Sequence, residues 1–171
     1  MEEGSLVQYF VEGECEKKFI EVLKTEMQLV YPGKVSVFNV AQKVIPRAML
    51  MNLRPNTTVV LIFDTDVINH KILASNLEQL KKAKNVKEVL TIPQVKNLED
   101  ELVRSCNIRR ITDLLGTTSV REFKVEFIRI SNLSNKLISK GFDINKLWIG
   151  EAAGNTMIIE NNSVNVKKLA E

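Results

Sequence analysis

Histidine, cysteine and tryptophan are scarce in this sequence of 171 residues, which has one histidine, two cysteines and one tryptophan. The single histidine, His70, excludes any site built from several imidazoles. Cys15 and Cys106 lack the spacing of a zinc site and are too few for a disulfide framework, so we expect reduced thiols in a cytoplasmic protein. Catalysis or metal binding by this chain would therefore depend mainly on side chains other than histidine and cysteine.

Long apolar runs are also missing. No stretch approaches the roughly 20 residues of a membrane-spanning helix, and the first four residues are acidic and lack the apolar segment of a signal peptide. We therefore expect no membrane partner. The formal net charge of +3 is compatible with a nucleic-acid partner but too weak to predict one. The length and the apolar fraction of 44% predict one globular domain with a proper core.

The sequence does have a short apolar run that ends in two carboxylates. Five consecutive apolar residues, 59–63, favour a central strand buried on both faces. Asp64 and Asp66 follow, and in open α/β sheets ligands bind at the carboxyl ends of the strands. Two acids at that edge favour a divalent cation, which prefers oxygen ligands. A helix-capping Asp64 beside a solvated Asp66 is the alternative.

Strand and helix patterns alternate over the first 110 residues, in the order 6–11, 14–30, 35–40, 46–53, 57–66, 69–84 and 86–92, with Pro93 expected to end the last strand. This alternation predicts an α/β, Rossmann-like fold with a mostly parallel sheet in the order 2-1-3-4 and helices on both faces. Further helical patterns predict a C-terminal helical extension over 111–149, packed on the same domain. Residues 150–171 are small, polar and asparagine-rich, which is typical of a poorly ordered tail.

The predicted strand order brings more acids to the end of the central strand. Glu12 ends the first strand, which would lie beside the third, and Glu16 lies one helical turn further on. With Asp64 and Asp66 these residues make four carboxylates at one edge of the sheet. Unpaired, they would repel one another and raise one another's pKa. A bound Mg²⁺, which usually takes one or two carboxylates together with water and phosphate oxygens, would relieve this repulsion.

Two segments carry a resemblance to a known family. Residues 11–16 (Val-Glu-Gly-Glu-Cys-Glu) resemble the glutamate motif of Toprim domains, and residues 61–66 (Leu-Ile-Phe-Asp-Thr-Asp) resemble their DxD motif. The spacing of Glu12 and Glu16 is most similar to nucleases of the OLD type (overcoming lysogenisation defect) and to small stand-alone Toprim proteins linked to phage defence. The resemblance covers residues 6–106. It implies a Toprim-like catalytic core over 1–110 that cleaves or transfers phosphodiester bonds with Mg²⁺ or Mn²⁺, on DNA rather than RNA, in phage defence or DNA repair.

The resemblance also assigns roles to individual residues. It makes Glu12 a catalytic and metal-binding residue, and it makes metal ligands of Glu16, Asp64 and Asp66. OLD-type sites use further acids and a lysine, for which the candidates by position are Glu99, Glu101 and Lys124. Arg121 and Arg129 are candidates for contact with nucleic acid, with a solvated helix face as the alternative.

Three features depart from the family pattern. Thr65 stands where many Toprim sequences have glycine. Neither tyrosine, Tyr9 nor Tyr31, stands where a topoisomerase would need its nucleophile. The sequence lacks a Gly-x-x-x-x-Gly-Lys-Ser/Thr motif, so any ATPase would be a separately encoded partner.

Two other functions remain open at this point. Residues 63–66 also resemble the nucleophile loop of haloacid-dehalogenase-like phosphatases, in which Asp64 would be the nucleophile and Asp66 the acid. That assignment lacks the usual Gly-Thr after the second aspartate and leaves Glu12 and Glu16 unexplained. The other alternative is a non-catalytic Toprim-fold module that binds nucleic acid or regulates a partner.

Overall fold

Four parallel strands form one sheet in the computed structural model, which describes residues 4, 6–150 and 159–168. The strands are β1 (Leu6–Val11), β2 (Lys34–Val37), β3 (Thr57–Asp64) and β4 (Val86–Gln94), and they pair in the order β2-β1-β3-β4. The predicted α/β class, parallel pairing and strand order are therefore confirmed. Within the described residues, no helix is long and apolar enough to cross a membrane.

The helices begin where the sequence offers suitable caps. Asn69, Asn97 and Ser119 each accept a hydrogen bond from a first-turn backbone N–H, which satisfies a donor that the helix itself leaves unpaired. The helices that the structure describes are α1 (Glu14–Thr25), α2 (Arg47–Met51), α3 (His70–Lys82), α4 (Leu98–Ser105), α5 (Thr112–Leu115), α6 (Val120–Arg129), α7 (Leu133–Ser139), a 3-10 turn (Ile144–Lys146) and α8 (Ser163–Val166).

Helices cover both faces of the sheet, because alternate residues of each buried strand point to opposite sides. Val60 and Ile62 of β3 belong to one apolar core, which they share with α1, α4 and the later helices. Val59 and Leu61 belong to the other core, which packs against α2 and α3. Phe123 of α6 is fully buried in the first core. The predicted helical extension therefore packs on the same domain, on the α1 side of the sheet.

The structure corrects the predicted end of the fourth strand. Pro93 lies inside β4, paired in register with Phe63, and does not end the strand. Proline has no N–H to donate, but β4 is an edge strand and tolerates this loss. Gln94 thereby becomes the last residue of the strand, opposite Asp64.

The predicted tail over 150–171 is only partly described, since residues 151–158 and 169–171 lie outside the described residues. Its described part, 159–168, is folded against the domain. The backbone N–H of Asn162 donates to the Thr91 carbonyl at 2.8 Å, and the side-chain Oδ1 of Asn162 accepts from the Thr91 N–H at 2.8 Å. Lys167 forms a β-bridge with Val30. This segment therefore satisfies backbone groups on the free edge of β4, where exposed groups would invite aggregation.

Candidate active site

Glu12 and Asp64 meet at the carboxyl edge of the sheet. Because β1 and β3 pair in parallel, with Phe10 opposite Leu61, both strands end at the same edge. The Glu12 Oε2 accepts a hydrogen bond from the backbone N–H of Asp64 at 3.2 Å. The prediction that these two residues lie side by side is confirmed.

The carboxylate of Asp64 is in an unfavourable place for a charge. Burial has the largest effect, followed by the nearby acids Glu12, Glu16, Asp66 and Glu99 in that order, and together they raise its pKa to about 8. Within the part of the chain that the structure describes, the buried Oδ1 of Asp64 has no hydrogen-bond partner. A buried polar atom without a partner costs free energy of folding, so this oxygen is suited to a ligand from outside the chain.

Glu12 and Glu16 share this environment. Burial raises the pKa of each carboxyl, and Asp66 raises that of Glu12 further, while Glu99 and Glu12 raise that of Glu16. The side chain of Asn39 hydrogen-bonds Glu12 and acts in the opposite direction. Glu16 is only 8% exposed. We refer to Glu12, Glu16 and Asp64, together with Asp66 and Glu99, whose charges act on them, as the acidic cluster.

Lys124 brings positive charge to the acidic cluster. Its Nζ lies 2.8 Å from the Glu99 Oε1, and its side chain is 55% exposed. The hydrogen bond with Glu99 raises the pKa of Lys124, and the Lys124 charge lowers the pKa of both Glu12 and Glu16. Helix α6 packs on α1, where the Cys15 thiol contacts the Lys124 carbonyl at 3.8 Å. The structure therefore brings Glu99 and Lys124, two residues chosen by position alone, to the predicted site.

Glu101 is placed elsewhere. It is fully buried. Its Oε1 accepts a hydrogen bond from the Val95 N–H at 2.9 Å and lies 2.8 Å from a guanidinium nitrogen of Arg104. Its Oε2 accepts a hydrogen bond from the Trp148 N–H at 3.0 Å. Both oxygens are therefore used within the protein, and the structure does not bring Glu101 into the acidic cluster. The reason is helical geometry: at about 100° per residue, Glu99 and Glu101 point in different directions.

Thr65 anchors the turn between Asp64 and Asp66. Its hydroxyl donates to the Gln94 carbonyl at 2.8 Å and accepts from the Lys96 N–H at 2.9 Å. Its own N–H donates to the carbonyls of Gln94 and Lys96 at 3.1 and 3.0 Å. A glycine here would lack the hydroxyl for the first two bonds. Thr65 therefore ties the turn between Asp64 and Asp66 to the end of β4.

Gln94 is a site residue that the sequence reasoning missed. It is 1% exposed and pairs in register with Asp64. Across the described residues, its buried side-chain oxygen Oε1 has no hydrogen-bond partner, like the Oδ1 of Asp64. A polar residue at the carboxyl end of a parallel strand is a candidate for the site. The strand was expected to end at Pro93, so Gln94 was assigned to the loop that follows it.

The remaining predicted residues lie at the surface. Asp66 is exposed, and its N–H donates to the Lys96 carbonyl at 3.3 Å. Arg121 and Arg129 are exposed on α6, the helix that carries Lys124. Their positions are compatible both with contact to a ligand and with simple solvation.

The comparisons with known proteins give no relative. No protein-family model, curated protein or solved structure matches this chain. Its function is therefore inferred from the chemistry of its own residues.

The donor atoms fit a hard cation held by few protein ligands. Among the described residues, no group of three or more His, Cys, Asp or Glu side chains is arranged so that it could hold a metal ion. Mg²⁺ rarely needs one, since it keeps several waters and binds through one or two carboxylates and substrate phosphates. Two buried oxygens without hydrogen-bond partners, on Asp64 and Gln94, lie at neighbouring strand ends. These oxygens and the mutual repulsion of the acids suit a cation at this place.

Cys15 is not a nucleophile here. Burial has the largest effect, and with the nearby carboxylates of Glu16 and Glu99 it raises the pKa of the Cys15 thiol to about 11. A thiol reacts as the thiolate, so Cys15 stays protonated and unreactive near neutral pH. Both cysteines are free thiols.

Proposed function

We propose that this protein is a nuclease of the Toprim type that depends on a divalent metal ion and acts on DNA in phage defence or DNA repair. The observation that carries the proposal is the meeting of the acidic cluster with Lys124 at the carboxyl edge of a parallel sheet. Ligand sites of open α/β folds lie at this edge.

Mg²⁺ or Mn²⁺ would be held by one or two carboxylates from the set Glu12, Glu16, Asp64 and Asp66, and water and phosphate oxygens would complete its coordination. When bound, such an ion supplies charge stabilisation to the phosphate and lowers the pKa of a coordinated water. All the donors are oxygens, which is the ligand type that a hard cation selects. The raised pKa values of the three partly buried acids are consistent with this role, because a cation would stabilise their charged forms.

The chain's own residues would carry the other parts of the reaction. Lys124, held in place by Glu99 at 2.8 Å, would donate to a non-bridging phosphate oxygen and stabilise charge that develops there. Glu12 would accept a proton from the attacking water. The water oxygen forms a bond to phosphorus, the bond from phosphorus to the leaving oxygen breaks, and the leaving oxygen takes a proton from solvent.

Helix α6 offers a path for the nucleic acid beyond this point. Arg121 and Arg129 flank Lys124 in sequence and are exposed, so they would contact phosphates on the strand that reaches Lys124.

The phosphatase alternative gives no role to this arrangement of basic residues on α6. It also gives no role to Glu12, whose carboxylate accepts from the Asp64 N–H. A separately encoded ATPase is a further partner that we propose to test.

The proposal is tested by cleavage assays with Mg²⁺ or Mn²⁺ on plasmid, linear duplex, single-stranded DNA and RNA. Glu12→Gln should abolish cleavage and leave the melting temperature unchanged or higher, because it removes a repelling charge. Glu88→Gln, at an exposed position near the start of β4, makes the same chemical change away from both the cluster and α6 and should cut normally. Equal cleavage by all three proteins would indicate a contaminant. No cleavage even with an ATPase partner added would favour the non-catalytic binding module.

A further inference from the structure

An open surface cavity of about 540 Å³ lies at the start of α3 and includes Val67, the residue that follows Asp66. Its volume falls within the usual range of small-molecule sites. The residues that line it are Gln42, Val67, Ile68, Asn69, His70 and Lys71. The mechanism proposed above uses none of them.

The cavity and the acidic cluster share two segments of chain. Val67 follows Asp66 directly and is three residues from Asp64, a distance of at most about 10 Å along an extended chain. On the other wall, Gln42 is three residues after Asn39, which hydrogen-bonds Glu12. These walls touch, since the Asn69 N–H donates to the Ala41 carbonyl at 3.0 Å and the Gln42 side chain donates to the Val67 carbonyl at 3.3 Å. A ligand in the cavity would therefore be close to the proposed catalytic site.

The lining has the mixed chemistry that a nucleotide needs. Lys71 is an exposed cation, and α3, a helix of 13 residues, begins at His70. In the described parts of the chain, the buried Nδ1 of His70 has no hydrogen-bond partner. These groups suit a phosphate. Val67, 60% exposed, and Ile68 offer an apolar surface to a base.

We propose that this cavity binds a nucleotide unit, with its phosphate toward Lys71 and His70 and its base against Val67 and Ile68. The role of that unit rests on the proposed function: it is the nucleotide next to the phosphodiester that the acidic cluster cleaves. The cavity then fixes one end of the substrate, and Lys124 contacts the phosphate at the cluster. The chemistry recognised is that of a nucleoside monophosphate, free or within a strand.

The sole histidine of the chain makes this proposal directly testable. In ¹⁵N-labelled protein, the imidazole of His70 is a single reporter in long-range proton–nitrogen NMR spectra. The metal-free protein in EDTA, at fixed pH, would be titrated with dTMP, AMP, inorganic phosphate and a short oligothymidylate. We expect saturable shifts of the His70 ring signals with the nucleotides and the oligonucleotide. Lys71→Ala should weaken nucleotide binding about tenfold, the loss of one charge-assisted contact. Lys81→Ala, at the other end of α3, should bind normally.

The two proposals fail in different ways. No saturable shift with any nucleotide would overturn the cavity proposal, and so would equal affinity for inorganic phosphate alone, because the base would then contribute nothing. Cleavage with an unchanged KM in Lys71→Ala would also overturn it, while the nuclease proposal would stand. Nucleotide binding at His70 without any cleavage would support the cavity and count against the nuclease.

Discussion

The carboxylate of Glu12 accepts the backbone N–H of Asp64 at 3.2 Å, across 52 residues of sequence. This bond joins the ends of two neighbouring parallel strands and places the carboxyl group of one acidic residue against the backbone of another. Burial and repulsion raise the pKa of both carboxyls. The fold thus brings charge together where it costs stability, which is common at functional sites and uncommon elsewhere.

Metal binding should stabilise the folded protein through this cluster. A ligand at 100 times its Kd stabilises the native state by about 2.7 kcal/mol, which corresponds to roughly 5–10 °C in melting temperature for a chain of this size. We expect such a shift with saturating Mg²⁺ or Mn²⁺ for the wild type and none for Asp64→Asn. Differential scanning calorimetry at rising metal concentration measures it. Equal shifts in both proteins would place the bound ion elsewhere.

Glu101→Gln is the matched control for that experiment, because this buried residue holds two backbone N–H groups and Arg104 outside the cluster. We expect it to lower the stability of the metal-free protein by about 2 kcal/mol, since a buried charge-assisted network loses its charge. Its metal-induced shift should remain that of the wild type. Loss of the shift in Glu101→Gln would mean that Glu101 contributes to the metal site after all.

The pH dependence of the unfolding free energy should reflect the titration of Asp64. Its pKa is about 8 in the folded protein, against an ordinary value of 3.8 for an exposed aspartate. Between these values the native state holds a proton that the unfolded state has lost. The unfolding free energy of the metal-free protein should therefore fall as pH rises from about 4 to about 8.

Urea unfolding in EDTA across this pH range measures the effect. In Asp64→Asn the fall should be shallower, because one titrating group is gone. Glu12 and Glu16, whose pKa values are also raised, keep part of it. A wild type and a variant with identical pH profiles would contradict the raised pKa of Asp64.

Lys124 should matter for chemistry far more than for stability. The pair with Glu99 is partly exposed, so its loss should change the free energy of unfolding by less than about 1 kcal/mol. Lys124→Met should lower the rate of the chemical step by about 10²–10³, the usual effect of losing one stabilising donor. Single-turnover cleavage measures it, and Glu99→Gln should give a smaller loss because Lys124 remains. A rate for Lys124→Met equal to the wild type would exclude a catalytic lysine at this position.

The sequence predicted which strand ends form the site, because the patterns that define a strand end are local. The apolar run of β3 and the change of period at Glu14 define strand ends, and parallel strand ends must meet at one edge. It did not distinguish Glu99 from Glu101, because that choice depends on where the backbone of Trp148 lies, 47 residues away. Gln94 was missed because proline normally ends a strand, while an edge strand can accept it. The packing of Asn162 on Thr91 has no local signal in a polar, asparagine-rich segment.

The arginines of α6 offer a test of the nucleic-acid path that does not require cleavage. For double-stranded DNA, each phosphate neutralised contributes about 0.9 to the slope of log affinity against log salt concentration. If Arg121 and Arg129 each contact one phosphate, replacing both with alanine should lower the magnitude of this slope by about 1.8. Fluorescence anisotropy with a labelled duplex in EDTA, at four or more salt concentrations, measures it.

Replacing Arg47 and Arg54, exposed at and near α2 on the other side of the sheet, removes the same charge and should leave the slope within about 0.5 of the wild type. A similar change in both double variants would show a response to net charge alone, and the surface of α6 would then be an ordinary solvated helix face.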